Sequence, residues 1–168
     1  MEKEIAIVDE ENQVIASASM LDAHKKGLWH RISVVHIFNT QGQIYLQKRS
    51  PHVDTSPNLW DHSAAGHVDV GEEPEEAAKR ELLEELGVKT DKLEFISTYK
   101  TQNYDKGKTL NRFWYVYKHT FDGTMHLEKT EVSTGKFVDV EWLKTDIKDK
   151  PNLYTGGLKD SLKAYLNS

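Results

Sequence analysis

The stretch from Gly66 to Val88 constrains this chain more than any other, because within it the side-chain pattern switches from strand-like to helical. Pro74 suits a first helical position, Glu75 to Leu86 are mostly strong helix formers, and Gly87 stands where the left-handed residue after a helix belongs. At about 100° per residue, Glu81, Glu84 and Glu85 fall within one arc of this helix, and Ala78, Leu82, Leu83 and Leu86 fall on the neighbouring arc. One helix can therefore pack against a core and present oxygen atoms beside it.

Carboxylates in the final turns need compensation. The macrodipole leaves that end of a helix partly negative, and like charges four residues apart repel. Hard divalent cations, Mg²⁺ or Mn²⁺, are the natural answer, because they take oxygen ligands and share their remaining positions with water and phosphate. Arg80 can pair with a neighbouring carboxylate and fix its orientation. An isolated Arg-Glu-x-x-Glu-Glu run reads as a solvated helical face; the spacing of the whole segment argues against that here.

Around this helix the chain reads as strands. Glu4 to Val8 and Gln13 to Ala16 form an N-terminal hairpin over about residues 4–16, and Ile32 to Phe38 with Gln43 to Arg49 form a second. Leu59 to Ala65, Leu93 to Tyr99, Asn111 to Lys118 and Lys136 to Leu143 are further strands, a polar loop holding Tyr104 and Gly107 joining the middle two. His24 and His30 lie in a polar stretch, and two prolines mark residues 50–58 as a loop. Leu162, Tyr165 and Leu166 at helical spacing predict a C-terminal helix over about 157–167. The sum is an α/β (α+β) chain, a mixed sheet with helices packed on it.

No repeat or flexible linker divides the sequence, so residues 1–168 read as one domain, long enough to bury a core unaided. Without a run of about 18 apolar residues or a signal-like N-terminus, the expectation is a cytoplasmic protein with no membrane partner. The absence of cysteine excludes disulfides, thiolate metal sites and cysteine nucleophiles. A net charge of −5 gives no long-range attraction for nucleic acid, and a polyanionic substrate would need metal to offset repulsion.

Gly66, then Glu72 after five intervening residues, then Arg80-Glu81-Leu82-Leu83-Glu84-Glu85-Leu86-Gly87-Val88 after seven more, resembles the Nudix box at every fixed position. A chance match has a probability on the order of 10⁻⁹ per starting point. The resemblance implies a Nudix-type α/β/α sandwich whose loop-helix-loop spans 66–88. It also implies hydrolysis of a diphosphate linkage, with Glu81, Glu84, Glu85 and Gly66 at the metal, Arg80 orienting the glutamates, and a metal-activated water attacking phosphorus. The general base is either Glu84 or an acid outside the box, for which Glu131, in a polar loop before a strand, is the candidate.

The resemblance runs from about Glu4 to Leu143. Trp29-His30-Arg31, Leu46-Gln47-Lys48-Arg49 and Leu59-Trp60-Asp61-His62-Ser63-Ala64-Ala65-Gly66-His67 are similar to the subgroup related to isopentenyl diphosphate isomerase. That pattern places a catalytic cysteine in the strand Ser63 to His67, where this chain has alanine. It also places glutamates on a later strand, where Leu110 to Trp114 has none. Hydrolase is therefore favoured over isomerase. His24, His30 and His67 read as residues lining a cleft or capping turns ahead of a remnant metal site.

Lys48 and Arg49 end a strand beside the loop before the box, within reach of a substrate phosphate. Trp60, Tyr104 and Trp114 are candidates for stacking on a base, at most one of them in that role, and Trp60 is carried as a substrate contact. The expected substrate is a small nucleoside diphosphate or a derivative. The competing non-catalytic reading is a nucleotide-binding module, which has no need of all three glutamates. The N-terminal hairpin offers an edge through which a homodimer can form.

Overall fold

The computed structural model describes residues 3–168. In chain order the elements are β1 (Glu4–Val8), β2 (Val14–Ser19), α1 (Met20–Lys26), β3 (His30–Phe38), β4 (Ile44–Arg49), β5 (Trp60–Asp61), β6 (Ala64–His67) and α2 (Pro74–Leu86). They continue with β7 (Glu94–Asp105), β8 (Lys108–Thr120), β9 (Val132–Val138), α3 (Val140–Asp149), a 3₁₀ turn (Pro151–Leu153) and α4 (Gly156–Leu166).

Burial at eight of its nine positions, Ser33 and His36 among them, marks β3 as a strand covered on both faces, and β3 is the centre of the sheet. It pairs antiparallel with β6 from Ile32↔His67 to Val35↔Ala64, and parallel with β8 from His30↔Arg112 to Phe38↔Thr120. The sheet is mixed. β7 extends it beyond β8, and β1 joins at Ile7↔His30 and carries β2 as an outer strand. β4 stays beside β3 only at Ile44, then takes β5 and β9 as antiparallel neighbours.

Helix α2 covers one face through Ala78, Leu82 and Leu86 against Val35, Ile37 and Ala64. Leu143 of α3 with Leu158 and Leu162 of α4 cover the other against Phe38, Ile44 and Leu46. This is the α/β/α sandwich. The Ser33 hydroxyl donates to Pro74 O at 2.6 Å and pins the first turn of α2 to β3. No helix among the described residues is long and apolar enough to cross a membrane.

Several elements differ from the sequence reading. The polar stretch holding His24 forms the short helix α1, capped by the Ser19 side chain. The Leu59 to Ala65 strand is broken at His62 and Ser63 into β5 and β6, and the polar loop at Tyr104 is the extended end of the β7–β8 hairpin. Lys136 to Leu143 is not one strand. Asp139 accepts from Glu141 N and starts α3, so Trp142 and Leu143 are helical. Leu83, placed on the packing arc, is exposed, whereas Glu85 is buried.

Candidate functional site

Because β6 pairs tightly with β3, its Gly66 lies directly against α2. A Cβ at Gly66 would sit 2.1 Å from both Cδ and Oε1 of Glu81, so the bare backbone is what lets the glutamate lie there. Arg80, one residue earlier, clamps the loop to the helix. Its Nε and Nη2 donate to the two oxygens of Glu72, each at 2.9 Å, and Nη2 also reaches His67 O at 2.9 Å. Nη1 pairs with Glu81 and approaches Glu84 at 3.4 Å. Such a two-pronged bond fixes orientation as well as charge.

One guanidinium thus faces Asp69, Glu72, Glu81 and Glu84. The imbalance deepens at Glu85, which is buried and receives a hydrogen bond from Gln47 Nε2 at 2.6 Å. Burial pushes the Glu81 carboxyl up to about 7 against the pull of Arg80, with Glu84 and Glu131 adding to the rise. Burial, and after it Glu81, holds Glu85 well above the usual carboxylate range despite the Gln47 bond. Closely set, partly buried oxygens short of positive charge fit a hard divalent cation.

The segment 121–131 closes the far side. His126 N donates to Leu86 O at 2.8 Å and Glu128 N to Glu85 O at 2.9 Å, satisfying carbonyls that the end of α2 leaves free. The chain then returns to β4, where Ser50 N donates to Glu131 O at 2.8 Å. Glu131 is thereby placed close enough for its charge to act on both Glu81 and Glu85. A cleft of about 460 Å³ opens beside Glu84, lined by Met125, His126, Leu127, Glu128 and Lys129.

A family model described as the NUDIX domain matches residues 27–155. The chain belongs to the Nudix family. With its box complete, it is a Nudix enzyme of the hydrolase type, acting on pyrophosphate-containing substrates. Isopentenyl-diphosphate Delta-isomerase 2 of Photorhabdus laumondii is 35% identical over 159 residues, 92% of this chain and 88% of that one. An uncharacterized Nudix hydrolase of Listeria monocytogenes is 36% identical over 118 residues, 70% of this chain and 68% of that one. The crystal structure of a Deinococcus radiodurans protein matches with a TM-score of 0.77 at 28% identity, covering 96% of this chain and 98% of the other.

The residues placed outside the Nudix box fare differently. Alternation along β4 turns Gln47 to Glu85 and therefore Lys48 the other way, where its ammonium lies 5.9 Å from the Trp60 ring centre. Trp60 is also covered by Lys136 at 4.5 Å, and it packs on the α3–α4 core. Arg49 is held by Asp61 at 3.1 Å and by Thr55. In this arrangement neither cation is directed at the glutamates. Trp114 is buried, stacked on Tyr99, and donates to Thr101 Oγ1, while Tyr104 is exposed near the tip of its hairpin.

His24, His30 and His67 come together on the opposite face of the sheet from the glutamates, their ring centres 5.1 to 5.5 Å apart. Gln47 and Glu72 are the partners that sequence reasoning did not assign. Glu72 belongs to the box spacing, which signalled it, whereas Gln47 was visible only as one of the three polar residues that end β4. A further buried network, Asp61 with Arg49, His62 and Thr155, had no sequence signal.

Proposed function

We propose that this Nudix enzyme hydrolyses the diphosphate linkage of a small nucleoside diphosphate or a derivative of one, with Mg²⁺ or Mn²⁺ held by Glu81, Glu84, Glu85 and the Gly66 backbone. The observation that carries the reading is the charge deficit around Gly66: three glutamates gathered at one helix end, with Arg80 already shared among four acids. When bound, such a cation supplies Lewis-acid polarisation and neutralises charge on the diphosphate. The rest falls to the chain. Arg80 holds Glu81 in place through its grip on Glu72, and Gln47 orients Glu85. Glu84 or Glu131 takes the proton from the attacking water, Glu84 from the cleft wall and Glu131 from the edge of β4. The substrate's remaining portion has room in the cleft between Glu84 and Lys129.

A second reading, isomerisation of isopentenyl diphosphate, is favoured by relatives named for that activity at 30% and 35% identity. Against it, the chain has no cysteine, and Ala65 stands packed among Ile32, Val34 and Trp114. The test is to incubate the protein with Mg²⁺ or Mn²⁺ and a panel of nucleoside diphosphates, nucleotide sugars, dinucleotides and isopentenyl diphosphate, following phosphate release and double-bond migration. Metal-dependent release of phosphate or nucleoside monophosphate, lost in Glu84→Gln, is expected. Double-bond migration without hydrolysis would replace the proposal with the isomerase reading, and ligand binding without turnover would replace it with a binding module.

A further inference from the structure

On the face of the sheet opposite the Nudix box, an unusual number of buried polar atoms have no partner. Nε2 of His24, His30 and His67, Nε of Arg112 and the hydroxyl of Tyr99 all lack a hydrogen bond. Folded proteins leave few such groups, and each one costs free energy unless something satisfies it. These five belong to one neighbourhood. His30 and Arg112 are register partners across β3 and β8, Tyr99 is the register partner of Trp114, and the Arg112 guanidinium lies 4.9 Å from the Trp114 ring centre.

A cluster of three histidines suggests a metal first. Their three ligand nitrogens lie within 4.8 Å of one another, so a central atom stands no more than about 2.8 Å from each. That space holds either a metal ion or one oxygen of an anion, and charge decides between them. No ring of the three brings a negative charge to a cation, and the outside charges acting on them are those of Arg112, Lys108 and Arg80. Arg112 itself is half-buried and has no ion-pair partner among the described residues. Asp105 and Asp160 act on it only from beyond salt-bridge range. A divalent cation would add two positive charges beside an unneutralised guanidinium, whereas an anion would neutralise it.

We propose that Arg112, Tyr99 and the three histidines form a second site, for a phosphate-type oxyanion, on the far side of β6 from the glutamates. Arg112 Nε–H and the Tyr99 hydroxyl donate to the anion, and His24 and His67 are free to present Nε2–H. His30 is fixed the other way. Its Nδ1 lies 2.9 Å from Leu28 O and donates there, so its Nε2 accepts, and the P–OH of monohydrogen phosphate supplies the matching proton.

The test uses Glu84→Gln protein, so that binding is read without turnover and independently of the hydrolase reading. Inorganic phosphate is titrated by calorimetry and by histidine side-chain NMR, beside arms with ADP, Zn²⁺ and Mn²⁺. Phosphate is expected to shift the His24, His30 and His67 resonances, and Arg112→Gln to weaken its binding by at least about tenfold. Tyr99→Phe, which removes one hydroxyl, weakens it by a smaller factor and serves if the arginine variant does not fold. ADP shifting the same resonances assigns the anion to a nucleotide phosphoryl group, and phosphate alone doing so assigns it to the free ion. Zn²⁺ or Mn²⁺ titrating the histidines where phosphate does not, phosphate binding unchanged in both variants, or no binding at all would each overturn the site.

Discussion

Gly66 contributes by what it lacks. The atoms a new Cβ would meet are the far end of the Glu81 side chain, which can swing away, so Gly66→Ala has a cheap escape for stability and a poor one for the metal. We expect a melting temperature within a few degrees of the parent, Mn²⁺ affinity reduced by about tenfold or more, and hydrolysis reduced at least as much. Calorimetric Mn²⁺ titration beside a thermal melt checks this, and unchanged affinity would show that Glu81 does not need its present position. The gathering of Gly66, Arg80 and the glutamates was legible because the box fixes them by spacing along one chain segment. Gln47 was not, since its bond to Glu85 crosses 38 residues and depends on how β4 is set against α2.

Helix α2 is set at its C-terminus by two devices, only one of which the sequence displays. Gly87 adopts φ +66, as its place after the helical run predicts, and its backbone N–H caps the last turn. The second is segment 126–128, whose N–H groups bond to Glu85 O and Leu86 O, and no local pattern announces it. Gly87→Ala strikes both, because its Cβ would lie 2.8 Å from His126 Cβ. Gly42 has the same backbone sign, φ +79, with open space around it. Gly42→Ala therefore costs only the left-handed penalty of about 1 kcal/mol, and Gly87→Ala costs more and lowers activity by moving Glu131. Urea unfolding of the two variants decides it; equal losses would mean that the 126 contact carries no stability. Helix α2 was readable from its composition and caps. Helix α3 was not, because Val138, Val140 and Trp142 continue the alternation of β9 past the Asp139 cap, and the packing of Leu143 beneath α4 overrides it. Helix α1, at seven residues, is too short to establish a period.

For the whole molecule, pH acts on stability through side chains sealed between the layers. His36 is fully buried between β3 and α4, with the His62 ring 5.9 Å away and Asp61, Ser161 and Tyr165 around it. Burial first, and His62 second, lowers it to about 3 from its ordinary 6.5. Between those values the unfolded chain binds the proton and the folded one refuses it, so the neutral ring's contribution is complete above pH 6.5 and is lost as pH falls toward 3. His30, lowered to about 4, acts in the same sense over a narrower window. Glu81, raised to about 7, acts in the opposite sense, because the folded state holds its proton longer than the unfolded chain does. The parent's stability curve is therefore a sum of opposed slopes, and a flat curve would say nothing about any one residue. Comparison with His36→Leu isolates one contribution. Measured by urea unfolding in chelator between pH 6.5 and 5, the parent should lose stability faster than the variant, by a slope that grows toward about 1.4 kcal/mol per pH unit at the acid end. Parallel curves would mean that His36 takes up its proton inside the fold, and that the α4 layer opens at mild acidity far more readily than its packing implies.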